Sequence, residues 1–600
     1  MSSSTYVENF VTLLRALSLV EGSYKPVPAN PLTSSSTAGS GYSDFDGPGT
    51  LGVPVDTTFN VSDPGLGFNS TSFHPASGGA IGADTQCPIV SYDSPPLANQ
   101  TFWPFDPVTA AIYRYRRQQS VNLGSWQVRF VQENWMVPSL FTCASEPRSA
   151  EINIASGWGS VDNARAVLER HWDTFINQTD FDHLASIGIN TVRLPIGYWT
   201  LGPTFVTGTP FEQYASVYTN AWPRVVRAIN MAAQSGIGVL VDVHGATGSQ
   251  NGQSHSGISD GQTRLFNNAA YMDKTIESYM FLADQLQNVT NVVGIEILNE
   301  PNDTPELSDF YSKAITAMRQ RSSGGPSLPL YIHDGFNLQK YSTYLSNRSD
   351  FVVEDHHSYF VFTPADESEP ASQHTGDVKG SISGDLGTAD SKDRENLVIG
   401  EWSCALTAQS LAAQSNPDEA RRQFCTTQMG VYTNTSAGWS FWSYNKEDCD
   451  ADQGWCFKAA VGKSLPDTFF SYGKAPPTGP AELQRVYAAV ASMTVPGSQS
   501  DILKSLQSSP MMAQGTNGTS AWNMTTAQQE SSIEGYSDGY QTAKIFTQHG
   551  WSRLGFVEQY IRDTLSAMGG FIPQGTEDYY RSGFKVGLAD GEGVVAAVLA

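Results

Sequence analysis

Eight short apolar runs, separated by longer stretches of helical spacing, organise the middle of the chain. They are Val121–Gly124, Ile189–Pro195, Ile237–His244, Val292–Asn299, Leu328–Asp334, Phe351–His357, Leu397–Glu401 and Gly438–Tyr444. Short runs of this kind, bounded by polar residues, read as parallel strands buried on both faces. The spacers between them carry helical stripes, among them Trp222–Ala233 and Met272–Leu286. Eight strands alternating with helices predict an α/β fold, a (β/α)8 TIM barrel whose polar strand ends gather on one rim.

The two ends differ in texture. Residues 1–112 read as a low-complexity arm and lead-in, rich in Ser, Gly, Pro and Thr as far as about Gly82. Such a composition buries too little apolar surface to offset ordering entropy, so its removal is expected to leave the melting transition almost unchanged. A basic helical segment, Tyr113–Gln119, is expected to lead into a barrel domain spanning 113–472. Residues 473–600 read as a linker, Lys474–Pro480, and a partly helical extension. Its stripes are Leu483, Val486, Tyr487 and Val490, then Leu554, Val557, Ile561, Leu565 and Met568 before Gly569 and Gly570. Tyr536, Gly539 and Tyr540 pair weakly with Tyr580, Gly583 and Phe584, a pattern expected of two helices packing through small residues.

Composition narrows the partners. A net charge of -24 and a pI near 4.7 argue against nucleic acid or an anionic membrane surface. No run of about 18 uncharged apolar residues is present, so no membrane span is expected. Six cysteines permit three bridges: Cys449 with Cys456, Cys87 with Cys143, and Cys404 with Cys425. Sequence does not fix this pairing, and free buried thiols are the alternative. Sequons such as Asn60, Asn177, Asn347 and Asn434 support an extracellular or wall-associated protein, although no signal peptide is recognisable at the N-terminus, and a monomer is expected.

The candidate chemistry lies at the strand ends. The run VVGIEILNEP delivers Asn299 and Glu300, and LVIGEW delivers Glu401. Two carboxyls on one rim are the minimum equipment for breaking a glycosidic bond, one protonating the departing oxygen and the other attacking the anomeric carbon. Ionised Glu401 is expected to raise the pKa of Glu300 and keep it protonated. Arg193 is placed to hold the nucleophile charged, and Asn299 to hold the sugar 2-hydroxyl. Glu296 shares the parity of Glu300 and reads as an internally paired carboxylate. His333 and His356 read as structural histidines, and Trp199, Trp402 and Trp439 as barrel packing. Both proton transfer and attack fall to side chains, so no cofactor or metal is expected.

These residues resemble glycoside hydrolase family 5. The resemblance rests on Arg193, Asn299-Glu300-Pro301, His357-x-Tyr359, Gly400-Glu401-Trp402 and Phe441-Trp442. Finer motifs are similar to the fungal exo-β-1,3-glucanases of that family. They are Asn122–Trp126, Glu133-Asn-Trp135, Pro138–Phe141, His244–Gly252 and Asp355–Phe362. The resemblance spans about Val121 to Phe470. It implies Glu300 as acid/base and Glu401 as nucleophile, with His357 and Tyr359 beside the nucleophile. It places Glu133, Asn299 and Trp442 around the released glucose and His244 in the floor. The family's aromatic clamp on the next glucose would keep Phe362 but lose its partner, because Gln253 stands where an aromatic is usual.

The expected function is therefore a retaining glycoside hydrolase releasing glucose from the non-reducing ends of β-1,3-glucan. Endo action, β-1,6 specificity or transglycosylation by the same mechanism are alternatives motivated by Gln253. A non-catalytic wall glucan-binding protein is the alternative from another class.

Overall fold

In the computed structural model, the structure describes residues 87, 91–97, 100–126, 136–258, 260–321, 328–412, 414–495, 497–510 and 524–600. The eight strands form one closed, parallel barrel in sequence order. They are β1 Gln118–Asn122, β2 Thr191–Gly197, β3 Gly238–Gly245, β4 Val292–Glu296, β5 Leu330–His333, β6 Val352–Ser358, β7 Leu397–Trp402 and β8 Gly438–Phe441. Closure comes from β1 pairing with β8, Gln118 opposite Gly438 and Val121 opposite Phe441. Every strand residue is buried except His356, which is half-buried, as expected where helices cover the outside and side chains fill the inside. Trp199, Trp402 and Trp439 are all buried in this core.

The strand boundaries shift where polar residues occupy buried positions. β1 starts at Gln118 rather than Val121, because its polar side chains are satisfied inside the barrel floor: Gln118 Nε2 donates to the Tyr331 hydroxyl (2.8 Å) and Ser440 Oγ to Ser120 Oγ (3.1 Å). The preceding helix correspondingly occupies Pro107–Tyr115 rather than Tyr113–Gln119. Asp106 caps it by accepting from Val108 N, and Pro107 stands in the first turn, where its missing N–H costs nothing.

Residues just before this helix are bound to the barrel. Tyr92 donates to Asp173 (3.0 Å), Ser94 to Glu169, and Asp106 N to Thr290 (2.9 Å). Asp173 and Glu169 also meet the buried Arg224. Cys87 is joined to Cys143, and the other bridges are Cys404–Cys425 and Cys449–Cys456. The described residues from Cys87 to Asp106 are thus bonded to the barrel, so a truncation that removes them is expected to lower the melting transition. Polar side chains tie them down where apolar burial would not.

The C-terminal extension closes the floor. Phe546, Phe556, Tyr560, Ile561 and Phe584 share an apolar cluster with Leu240, Val293, Tyr331, Val353 and Val398 from the lower ends of β3 to β7. Polar ties surround it: Tyr115 donates to Asp563 (2.5 Å), and Lys585 bridges Glu395 and Glu558 at 2.7 Å each. The helices Thr526–Gln548 and Glu577–Val598 run parallel and very close. A Cβ at Gly535 or Gly539 would overlap the carbonyl of Tyr580 or Phe584, and one at Gly583 or Gly587 the carbonyl of Ser532 or Tyr536. The small-residue pairing is thus observed. Gly583→Ala is expected to destabilise the protein by about 1–3 kcal/mol through forced separation of the pair. Denaturant unfolding reads this, and an unchanged midpoint would mean that the pair separates at no cost.

Candidate active site

Arg193, projecting inward from β2, is the hub of the rim. It is fully buried, and its three nitrogens meet five groups. Nε donates to Glu296 (2.6 Å), Nη1 to Asn122 (3.0 Å) and Glu401 (2.8 Å), and Nη2 to Asn299 (2.8 Å). Asp242 lies 3.1 Å from Nη2. Burial alone would weaken its hold on the proton, but Asp242, Glu296 and Glu401 keep the guanidinium charged. Glu296 is the internally paired carboxylate expected from its parity. Burial raises its pKa well above the usual range, with Asp355 and Asp242 adding to the effect.

Glu401 is aimed by a bulge. The β6–β7 register slips at Gly400, whose N–H donates to Asp355 (2.7 Å) and whose carbonyl accepts from Asn122 (2.9 Å). A Cβ at Gly400 would overlap the Asp355 carboxylate, so only glycine fits the turn that points Glu401 into the barrel mouth. There Oε1 accepts from Arg193, and Oε2 accepts from the Tyr359 hydroxyl (2.8 Å). Burial raises the Tyr359 pKa well above its usual value, so the phenol remains a donor.

Glu300 is positioned differently. β4 ends at Glu296 rather than Asn299; Ile297 N still donates to the Tyr331 carbonyl (2.9 Å), the chain then leaves the ladder, and Glu300 is held at φ 42°. This left-handed conformation is uncommon for a residue with a side chain. It is fastened by Asn251 Nδ2 donating to the Glu300 carbonyl (2.9 Å) and by Gln250 Nε2 donating to that of Asn299 (2.8 Å). The Glu300 carboxyl meets His357, whose Nδ1 lies 2.8 Å from Glu300 Oε1 and 3.5 Å from Glu401 Oε2. The two carboxyls thus share one imidazole nitrogen. His357 is held charged, since Glu401 and Asp355 outweigh the effect of its burial.

The proton distribution differs from the sequence expectation. Burial pushes the Glu401 carboxyl up to about 7, against the charges of His357 and Arg193. Burial also acts to raise Glu300, but the His357 hydrogen bond and charge prevail and hold it at about 2. In the open site the pair's proton therefore favours Glu401, because the imidazolium sits nearer to Glu300.

The remaining candidates surround these two. His244 Nδ1 bonds Asp242 (2.5 Å), and its ring stacks on Trp442 with centroids 5.8 Å apart. Phe362 lies 5.5 Å from Tyr359, and both rings meet Trp455, at 6.1 and 5.5 Å. Glu133 lies outside the described residues. His333 and His356 are structural: Gly335 N donates to His333 Nδ1 (2.9 Å), and His356 Nδ1 bonds Asp334 (2.6 Å). Sequence reasoning missed Trp455 and His255. Trp455 sits in the loop closed by Cys449–Cys456, and no spacing signal tied it to the rim. Among the described residues, Glu300, His333 and His357 bring metal-ligand atom types together, but His357 already bonds the carboxylate.

Residues 160–448 match the family model described as cellulase (glycosyl hydrolase family 5). Among similar proteins, glucan 1,3-β-glucosidase 3 of Schizosaccharomyces pombe is 36% identical over 376 residues, covering 61% of this chain and 76% of that protein. This chain belongs to glycosyl hydrolase family 5. It is a glycoside hydrolase. A probable glucan 1,3-β-glucosidase A of Aspergillus fumigatus is 30% identical over 368 residues, covering 55% of this hydrolase and 83% of that protein. Among solved structures, rutinosidase from Aspergillus niger covers 58% of this hydrolase and 96% of its own chain, with 20% identity and a TM-score of 0.46. Among the described residues, no helix is long and apolar enough to cross a membrane.

Proposed function

We propose that this hydrolase cleaves β-1,3-glucan from its non-reducing ends by double displacement, with Glu401 as nucleophile and Glu300 as acid/base. The observation that carries this assignment is the unequal support of the two carboxyls. Glu401 accepts from both Arg193 and Tyr359, which favours the anion that attacks carbon. Glu300 meets His357 through Oε1, and its second oxygen serves for proton transfer. Sharing one histidine nitrogen keeps the carboxyls closer than the roughly 6.5–9.5 Å that accommodates the water of an inverting enzyme. The glucan relatives support the substrate, and three disulfides with the sequons support an oxidising, extracellular or wall location. The protein acts as a monomer, with residues 113–472 as catalytic domain and 473–600 as an extension bracing its floor.

In the first step, the pair's proton, which favours Glu401 in the open site, stands on Glu300 in the substrate complex; Glu300 gives it to the departing glycosidic oxygen while ionised Glu401 bonds the anomeric carbon. In the second, Glu300 takes a proton from water, and hydroxide character at that oxygen displaces Glu401. Asn299 Nδ2 and His244 are directed to the sugar hydroxyls, and Trp442 lies beneath the ring. Phe362, with Tyr359 and Trp455, supplies an aromatic wall for the next sugar, replacing the clamp lost at Gln253.

The first step needs one proton on the Glu300–Glu401 pair, which titrates as a unit, whereas the second needs Glu300 ionised. The values of about 2 and about 7 set the window. Raising the pH through about 7 removes the single proton, so kcat/KM is expected to fall on the alkaline side with a limb near 7. A rate still rising well above that pH would contradict the pair's role. Product analysis tests the substrate. Glucose released first as the β-anomer from β-1,3 oligomers supports the proposal; longer fragments, or preference for β-1,4 or β-1,6 oligomers, would overturn it.

A further inference from the structure

His255 lies in the turn Ser254–Ser256 that follows β3, and its Nδ1 is 3.6 Å from Glu300 Oε2, the carboxyl oxygen not bonded by His357. Its neighbours fix where its proton resides. Asn251 Oδ1 accepts from Gln253 N (2.9 Å), which orients the amide so that Nδ2 faces His255 Nε2 at 2.9 Å. That contact is a hydrogen bond only if Nε2 accepts, and the proton then sits on Nδ1, facing Glu300. An imidazolium would oppose N–H to N–H at Nε2. Burial acts in the same direction and lowers the histidine's pKa. Asn299 does not compete for Nδ1 as a donor: at 3.4 Å its Nδ2 meets an N–H, and its Oδ1 is taken by Arg193.

We propose that His255 is a positioning residue for Glu300, its neutral Nδ1–H donating to Oε2 when that carboxyl is ionised in the substrate-bound site. The inference rests on the acid/base reading of Glu300. At 3.6 Å the contact is too long for a hydrogen bond in the open site, and catalytic contacts commonly tighten when substrate binds. Once Glu300 has passed its proton to the leaving oxygen, the new anion gains the His255 donor. Oε2 is thereby held toward the leaving side, where the incoming water must return a proton.

Other groups facing Glu300 set the background. They are Arg193 from β2, His244 and Asp242 from β3, His333 from β5, His357 from β6 with Tyr359 just after it, and Glu401 from β7. His357 is charged and serves both carboxyls, whereas His255 is neutral and approaches Oε2 of Glu300. Removing the His255 donor makes ionised Glu300 less favourable, so the pair retains its proton to higher pH.

The test compares His255→Leu with His255→Gln in the full chain, following kcat, which reports the substrate complex, against pH on a β-1,3-linked glucose oligomer and on an aryl β-glucoside. His255→Leu is expected to move the alkaline limb up by about one pH unit and to slow the oligomer about tenfold. His255→Gln, which retains an N–H donor, should keep the limb nearly in place. An unmoved limb in a folded His255→Leu protein, or equal shifts in both variants, overturns the proposal. If the leucine variant does not fold, His255→Asn, which is polar but too short to reach Oε2, is held to the same expectation. Failure of the underlying reading looks different: Glu300→Ala would then slow the two substrates equally, whatever happens at His255.

Discussion

Glu401→Gln is expected to lose turnover by about 10⁴-fold or more while still binding glucan. The amide preserves the size of the side chain and can still accept from Arg193 or Tyr359, so the Arg193 network with Glu296, Asn122 and Asn299 should persist. What disappears is the anionic oxygen that must bond the anomeric carbon. Steady-state rates on a β-1,3 oligomer and calorimetric binding to the same ligand separate the two effects. Retention of more than a few per cent of the rate would remove Glu401 from the nucleophile's role. Loss of binding in parallel would mean that the variant disturbs the Arg193 network rather than the chemistry.

Glu300→Ala is expected to be selective in its damage. General acid assistance contributes about 10²–10⁴-fold, and that much should be lost on a glucan oligomer, whose alkoxide is a poor leaving group. An aryl glucoside whose phenolate departs unaided should be slowed far less in the first step. His357 Nδ1 would then face Glu401, at 3.5 Å in the present geometry, while Nε2 keeps Asp355. Parallel measurement of the two substrates checks this, and an equal loss on both would assign Glu300 some other task.

The barrel was legible because parallel strands buried on both faces leave continuous apolar runs, and Glu300 and Glu401 could be placed on one rim because each closes such a run. The boundaries were less legible where burial and polarity part company. Gln118 and Ser120 are strand residues whose side chains bond within the floor, so the apolar pattern begins after the strand does. Asn299 and Glu300 lie beyond the β4 ladder, which ends at Glu296, and the φ of 42° at Glu300 shows that the chain is no longer extended there. The stripe at Val557, Ile561 and Leu565 indicated a buried face, but periodicity does not name the surface that covers it; here it is the floor of the barrel. The resting proton distribution was also illegible, because it depends on the difference between 2.8 and 3.5 Å at one nitrogen of His357. His255 belongs to the same class. Its contact with Glu300 is made by loop geometry alone, and no residue spacing announces it.

The central claim is that a covalent glycosyl bond forms on Glu401. Incubation with a 2-deoxy-2-fluoroglucoside bearing a good leaving group, followed by proteolysis and mass spectrometry, tests it most directly. The account predicts time-dependent inactivation, with the fluoroglucosyl mass on the peptide containing Glu401. The same mass on the peptide containing Glu300, or turnover with inversion and no adduct on any peptide, would contradict it.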